Sequence, residues 1–64
     1  MNRRELEEHL RNHMCDLLRH GKKHDIWQNT KDGALSAIPR HRVIKKGTVR
    51  SICRALGVPL PANV

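Results

Sequence analysis

The chain lacks Phe and Tyr and has a single Trp among its 64 residues. Its core must therefore be built from Leu, Ile, Val, Ala, Met and Cys, and that core is thin, because a chain of this length buries only about 60% of the surface that its unfolded form exposes. No apolar run approaches the roughly 18 residues that a membrane span needs. The first residues lead into an acidic amphipathic segment and carry no apolar secretory signal. The length of 64 residues predicts one small domain and excludes a two-domain enzyme.

Cysteine and acidic residues are also scarce. Cys15 and Cys53 form neither a CxxC pair nor a disulfide framework, so we expect two free thiols in a reducing cytosol. Of the six acidic residues, four precede residue 17, which leaves no clear carboxylate cage for magnesium. Nucleotide-binding loops, HExxH, a Ser/His/Asp set and zinc-finger spacings are absent. We therefore expect no metal and no small-molecule cofactor.

Positive charge is abundant and unevenly placed. The formal net charge is +7, with −1 over residues 1–18 and +8 over residues 19–64. Such a field attracts polyanions, of which nucleic acid is the commonest. The alternative is a basic domain whose charges are merely solvated.

The first segment reads as a short amphipathic helix over residues 3–13. Asn2 can cap it, with Glu5 completing a capping box, and apolar residues recur at every fourth position from Leu6. A second helix follows Gly47, with Thr48 as the expected N-cap. We expect this helix to end at Gly57. Its apolar stripe follows the helical period and consists of Val49, Ile52, Cys53 and Leu56.

Three short strands lie between the helices, at residues 15–18, 24–28 and 35–38. Turn residues separate them, most clearly at Asp32-Gly33. The predicted fold is α+β, in the order α-β-β-β-α. It has a three-stranded antiparallel sheet with both helices on one face, a layout like that of double-stranded-RNA-binding domains.

A connector before the second helix and a C-terminal tail complete the predicted organisation. Residues 40–46 are expected to form a polar, basic connector before the second helix. Residues 1–59 form the predicted domain, and residues 60–64 form a short C-terminal tail that we expect to be frayed.

His24 is the strongest candidate for chemistry. It follows Gly21-Lys22-Lys23 at the expected start of a strand. An imidazole beside two ammonium groups resists protonation, and a neutral imidazole can act as a general base while the lysines bind a scissile phosphate. The alternative is a histidine that only caps the edge of a strand.

The other four histidines are weaker candidates for chemistry. His41 lies between Arg40 and Arg42, and we expect it at the opposite end of the sheet from His24, as a phosphate or structural contact. His9 and His13 have a spacing that can chelate a metal, but without a third ligand we expect them to be surface residues. His20 either touches phosphate or is solvated.

A possible anion site lies at the start of the second helix. Lys45 and Lys46 precede the amides of residues 47–49, and a helix N-terminus attracts anions through its dipole and its unpaired N–H groups. The alternative is a pair of solvated lysines. Phosphodiester chemistry without a metal would favour RNA, whose 2′-hydroxyl supplies an internal nucleophile.

Three segments together resemble one family. Residues 21–27, residues 38–41 and residues 46–52, followed by Leu56-Gly57, are similar in order and spacing to the HicA toxins, also called YcfA-like mRNA interferases. The similarity spans about residues 3–59. It departs from the family at Met14, where glycine is usual, and at Lys22-Lys23, where Gly-Asn or Gly-Ser is common.

The resemblance implies a cytoplasmic toxin of a type II toxin–antitoxin system. It implies a double-stranded-RNA-binding-like fold, cleavage of mRNA that arrests translation, and a HicB antitoxin that covers the site. The family's catalytic histidine corresponds to His24. Trp27 would stack on a base or pack against the antitoxin. The full set of expected RNA-binding residues is Lys22, Lys23, Trp27, Arg40, His41, Lys45, Lys46, Thr48 and Arg50.

The leading hypothesis is thus a metal-independent endoribonuclease that acts through His24. One alternative is an RNA-binding module without catalysis. Another is a subunit whose exposed sheet face serves protein assembly.

Overall fold

The computed structural model describes residues 1–62 and 64, and it confirms the predicted α-β-β-β-α order. Its three strands form one antiparallel sheet in the order β1-β2-β3. The likeness to double-stranded-RNA-binding domains stays a prediction. The elements are α1 (Arg3–Arg11), β1 (Cys15–His20), β2 (His24–Asn29), β3 (Leu35–Pro39) and α2 (Lys46–Leu56).

Alternation along β2 determines which face of the sheet is covered. Trp27 and Asn29 are buried, whereas Ile26 and Gln28 between them are partly exposed. The buried stripes of both helices join the same core, so both helices lie on one face and the other face is open. The core comprises Leu6, Leu10, Cys15, Trp27, Ile38, Ile44, Val49, Ile52, Cys53 and Leu56.

The composition of that core differs from the expectation in one respect. Trp27 is 1% exposed and is the largest fully buried side chain, whereas Met14 is exposed. A single tryptophan supplies much apolar area to a core that has no other aromatic ring. The guanidinium of Arg11 lies 5.1 Å from the centre of the Trp27 ring and covers it.

The N-terminus of α1 matches the prediction. The Asn2 side chain accepts the N–H of Glu5 at 2.8 Å, and the Glu5 carboxylate accepts the N–H of Asn2 at 3.3 Å. The helix ends at Arg11, two residues earlier than predicted. Three turn residues follow, and the last of them, Met14, has a φ of 68°.

The N-terminus of α2 corrects the prediction of Thr48 as N-cap. Lys45 holds the N-cap position with an extended backbone, and the first helical hydrogen bond runs from the N–H of Val49 to the carbonyl of Lys45 at 2.9 Å. Thr48 therefore lies inside the first turn. No side chain caps this end and no acidic residue lies in its first turn.

The C-terminus of α2 follows the prediction. Gly57 adopts the left-handed conformation with a φ of 70°, and the N–H of Val58 reaches the carbonyl of Cys53 at 3.0 Å. The buried side chain of Asn29 donates to the carbonyl of Leu56 at 2.8 Å, so the end of β2 holds the end of α2.

The connector before α2 is more ordered than its polar composition indicates. Ile44 is buried, and Val43 forms an antiparallel bridge with Asn2. On either side of this bridge, the N–H of Arg3 donates to the carbonyl of Arg42 and the N–H of Ile44 donates to the carbonyl of Met1, both at 2.8 Å.

The expectation of a frayed tail is wrong for two of the four tail residues that the structure describes. Pro61 is buried and Val64 packs against the core, whereas Leu60 and Ala62 are exposed. The ring of His9 donates from Nε2 to the carbonyl of Pro59 at 2.7 Å, which ties the residue just before the tail to α1. Asn63, which also belongs to the predicted tail, lies outside the described residues.

We predict that the left-handed backbone at Met14 costs stability. Because a Cβ atom clashes in this conformation at a cost of about 1 kcal/mol, Met14→Gly should be more stable than Met14→Ala by roughly that amount, or about 4–8 °C in melting temperature for so small a domain. Both variants remove the same exposed side chain, so thermal unfolding of the pair isolates the backbone effect. Equal or higher stability of Met14→Ala would contradict the strain.

Candidate active site

His24 is positioned by a tight hairpin between β1 and β2. The N–H of Gly21 donates to the carbonyl of His24 at 2.8 Å, which leaves Lys22 and Lys23 as an exposed two-residue loop. A Cβ atom at position 21 would lie 2.5 Å from that carbonyl oxygen, so only glycine fits. The hairpin therefore places two cationic side chains directly before His24.

The register of the sheet brings His41 to the same place and corrects the expectation that it lies at the opposite end. His24 pairs with Pro39 in the β2–β3 ladder, because antiparallel neighbours set the start of one strand beside the end of the next. His41 follows two residues later. Both histidines line one cavity of about 650 Å³, which we call the histidine cavity; its lining residues are His24, Ala37, Pro39, His41, Val43, Ile44, Lys45 and Thr48.

The hydrogen bonds of their ring nitrogens distinguish these two histidines from the other three. His9 bonds the carbonyl of Pro59, His13 bonds the carbonyl of His9 at 2.8 Å, and His20 bonds a carboxylate. The rings of His24 and His41 make no hydrogen bond to any residue that the structure describes. The histidine cavity thus holds the two imidazoles whose nitrogens are free for a ligand.

Asp25 anchors the hairpin behind His24. Its carboxylate accepts a hydrogen bond from Nδ1 of His20 and another from Nε of Arg40, both at 2.8 Å. These bonds from His20 and Arg40 hold the pKa of Asp25 below its usual value, against an opposing effect of burial. The guanidinium of Arg40 also donates to the carbonyls of Gly21 and Lys22.

Sequence reasoning missed this network, although a signal for it existed. Asp25 lies two and four positions before the buried residues Trp27 and Asn29, so the period of a strand places its side chain on the covered face. A carboxylate there needs partners, and the arginine and histidine near the hairpin ends were available.

The start of α2 forms the cationic side of the histidine cavity. Lys45 and Thr48 line it, and the amides of residues 46–48 belong to the helical turn whose N–H groups have no partner within the helix. Space around Gly47 is open, since a Cβ atom there would meet nothing within 4 Å. Unpaired N–H groups beside a lysine are suited to an anion.

Not every residue predicted to bind RNA reaches the cavity. Lys46 and Arg50 are exposed on α2 outside its lining, and the guanidinium of Arg40 is bound to the hairpin. The burial of Trp27 contradicts the prediction that it stacks on a base or packs against a partner, because its ring is enclosed by the core and Arg11.

Metal ligands and cysteine thiols are the remaining groups to consider among the described residues. They contain no cluster of three or more His, Cys, Asp or Glu side chains able to hold a metal ion. Burial raises the pKa of the Cys15 and Cys53 thiols, which are free and enclosed, so neither is a reactive nucleophile. No helix in this part of the chain has the length and apolar character to cross a membrane.

Comparison with known families decides the broader class. The sequence model of the HicA toxin of bacterial toxin–antitoxin systems matches residues 3–58. The chain belongs to the HicA toxin family. This HicA protein is therefore a toxin of a toxin–antitoxin system and has an antitoxin as its partner. No curated protein and no solved structure is significantly similar to it.

The turn after α1 agrees with what the sequence resemblance implied. The resemblance implied a glycine near the end of α1, and Met14 holds a backbone conformation that favours glycine. A methionine at this position therefore keeps the turn at the cost of backbone strain.

We predict that Asp25→Asn destabilises the fold at neutral pH. Asn retains one acceptor but loses the charge that strengthens the bonds from His20 and Arg40, at a cost of about 1 kcal/mol. Because the folded-state pKa of Asp25 is lowered, its stabilisation is complete above the unfolded-state pKa and is lost as the pH falls through the folded-state value.

The difference in unfolding free energy between wild type and Asp25→Asn should therefore be fully present above the unfolded-state pKa of the carboxyl group and shrink as the pH falls below about 4. Urea unfolding at several pH values measures it. Asp16→Asn, which changes an exposed carboxylate on β1, is the matched control and should show a smaller effect. A difference that grows as the pH falls would contradict the role of the charged carboxylate.

Proposed function

We propose that this HicA toxin is a metal-independent endoribonuclease that cleaves mRNA and inhibits translation, with His24 as its catalytic base. The observation that carries the proposal is the pairing of two imidazoles with free nitrogens in one cavity, beside the unpaired amides of α2. Acid–base catalysis needs titratable groups that can reach the substrate. The net charge of +7 supplies the attraction for a polyanion.

The first proton transfer is assigned to His24. Its neutral imidazole accepts the proton of a ribose 2′-hydroxyl, and the 2′-oxygen then attacks the adjacent phosphorus. The hairpin favours this role, because Lys22 and Lys23 form the exposed loop directly before His24 and, from outside the cavity lining, offer two cationic side chains to the phosphates on either side of the ribose.

The leaving group requires a second proton, and His41 is available to give it. As the bond between phosphorus and the 5′-oxygen breaks, the imidazolium of His41 protonates that oxygen, which yields a 2′,3′-cyclic phosphate and a 5′-hydroxyl. Lys45 and the amides at the start of α2 offset the charge on the non-bridging oxygens. Thr48 offers a hydroxyl to the same phosphate.

The antitoxin is proposed to be a HicB-like protein that covers the histidine cavity. Two features of the surface suit a protein that must compete with RNA. The cavity is bordered by the exposed side chain of Val43, and the sheet face that continues from His24 is not covered by either helix. Lys46 and Arg50 extend the cationic surface along α2 and are proposed to contact the RNA backbone outside the cavity.

We predict that His24→Ala abolishes cleavage while RNA binding persists. Loss of a general base costs about 10²–10⁴-fold in rate, and removal of a neutral ring changes the backbone contacts little. Cleavage of a labelled RNA and binding of a 2′-O-methyl RNA, which cannot be cut, measure the two properties separately. EDTA should leave the rate unchanged.

Two further variants sharpen this test. His13→Ala removes an imidazole outside the cavity and should keep full activity. His41→Ala should slow cleavage while RNA binding persists, because the leaving 5′-oxygen then lacks its proton donor. If purified wild-type protein binds RNA but never cuts it, the chain is an RNA-binding module and the catalytic proposal is wrong.

A further inference from the structure

A second cavity, larger than the first, lies beside the histidine cavity and has no role in the proposed chemistry. It is a groove of about 850 Å³ between the start of α1 and the connector, and we call it the arginine groove. Its lining is strongly cationic, with four guanidinium-bearing residues against one carboxylate. Its charged lining residues are Arg3, Arg4, Arg40, Arg42 and Glu7.

The four arginines differ in how far the fold already uses them. Arg40 is bound to Asp25 and to the hairpin carbonyls, and Arg3 donates to the carbonyl of Arg40 at 2.9 Å and lies 3.7 Å from the Glu7 carboxylate. Arg4 and Arg42 are exposed and form no ion pair with any described residue. These two guanidinium groups are available to a ligand.

The extended backbone after β3 joins the two cavities. Pro39 and His41 line the histidine cavity, whereas Arg40 and Arg42 line the arginine groove, as expected where alternate residues of an extended chain face opposite sides. Val43 lines both and is 66% exposed. A ligand that leaves the histidine cavity across Val43 therefore reaches Arg42 next.

We propose that the arginine groove binds backbone phosphates of the RNA strand that flank the cleaved bond. This inference rests on the proposed ribonuclease function, since it assigns the path of that substrate. Guanidinium groups suit phosphate because their planar donors can bind two oxygens at once. At the start of α1, the N–H of Arg3 already donates to the carbonyl of Arg42 and the N–H of Glu5 to the side chain of Asn2, so the arginine side chains are the main donors in the groove.

The test compares two double variants that remove the same charge. Arg4→Gln/Arg42→Gln changes the groove. Lys31→Gln/Arg54→Gln changes exposed residues in the β2–β3 turn and in the last turn of α2, outside both cavities. The probe is a single-stranded 2′-O-methyl RNA of about twelve nucleotides, and Kd is measured over a range of salt concentrations. Each lost phosphate contact should lower the slope of log Kd against log salt concentration by about 0.7. The loss of two contacts should weaken Kd about tenfold or more near 0.1 M salt.

The proposal expects this loss for the groove variant and a much smaller loss for the control. Equal losses would overturn it, because binding would then follow net charge alone. Unchanged RNA affinity with weakened antitoxin binding would also overturn it and assign the groove to an acidic protein segment. If wild type binds and cuts RNA while the groove variant matches it, only this inference fails; if wild type neither binds nor cuts RNA, the proposed function fails first.

Discussion

The ladder between β2 and β3 is the constraint on which the candidate site depends. Pairing of His24 with Pro39 sets the start of one strand beside the end of the other. Because each strand alternates its faces, a shift of one residue would move His24 to the covered face. The ladder thus brings together a hairpin, the connector and the start of α2, which are distant in sequence, around one cavity.

Two polar clamps hold the parts of this site in position. Arg40, which follows β3, donates to the carboxylate of Asp25 and to the carbonyls of Gly21 and Lys22. These bonds fix the β1–β2 hairpin to the end of β3. The bridge between Asn2 and Val43 holds the connector against α1. Neither clamp uses the side chain of His24 or His41, which leaves both rings free for a ligand. The buried side of the sheet stabilises the fold, and the proposed chemistry lies at its hairpin end.

Local signals in the sequence predicted the elements well. The capping box of Asn2 and Glu5, the apolar stripe of α2 and the left-handed Gly57 depend on neighbours within a few residues, so the sequence carries them directly. The prediction of Thr48 as N-cap was wrong, because no side chain caps this helix start and the sequence therefore carries no marker for it. The helix begins earlier, with Lys45 as its N-cap.

The tertiary contacts of the site could not be predicted in the same way. The sequence indicated His24, but the meeting of His24 and His41 follows from strand pairing, which single residues do not show. The burial of Ile44 depends on a bridge to Asn2 across more than forty positions. Trp27 was predicted to stack on a base or to pack against the antitoxin, but a core without other aromatic side chains encloses it.

The proposed function requires that His24 and His41 act on one ligand while the other histidines serve the fold. Long-range ¹H–¹⁵N NMR spectra of the five imidazoles, recorded as a 2′-O-methyl RNA trinucleotide is added, measure this requirement. The signals of His24 and His41 are expected to shift together and saturate at the same RNA concentration, while those of His9, His13 and His20 stay in place. Shifts confined to His9, His13 or His20, or a response of only one of the two cavity histidines, would contradict it.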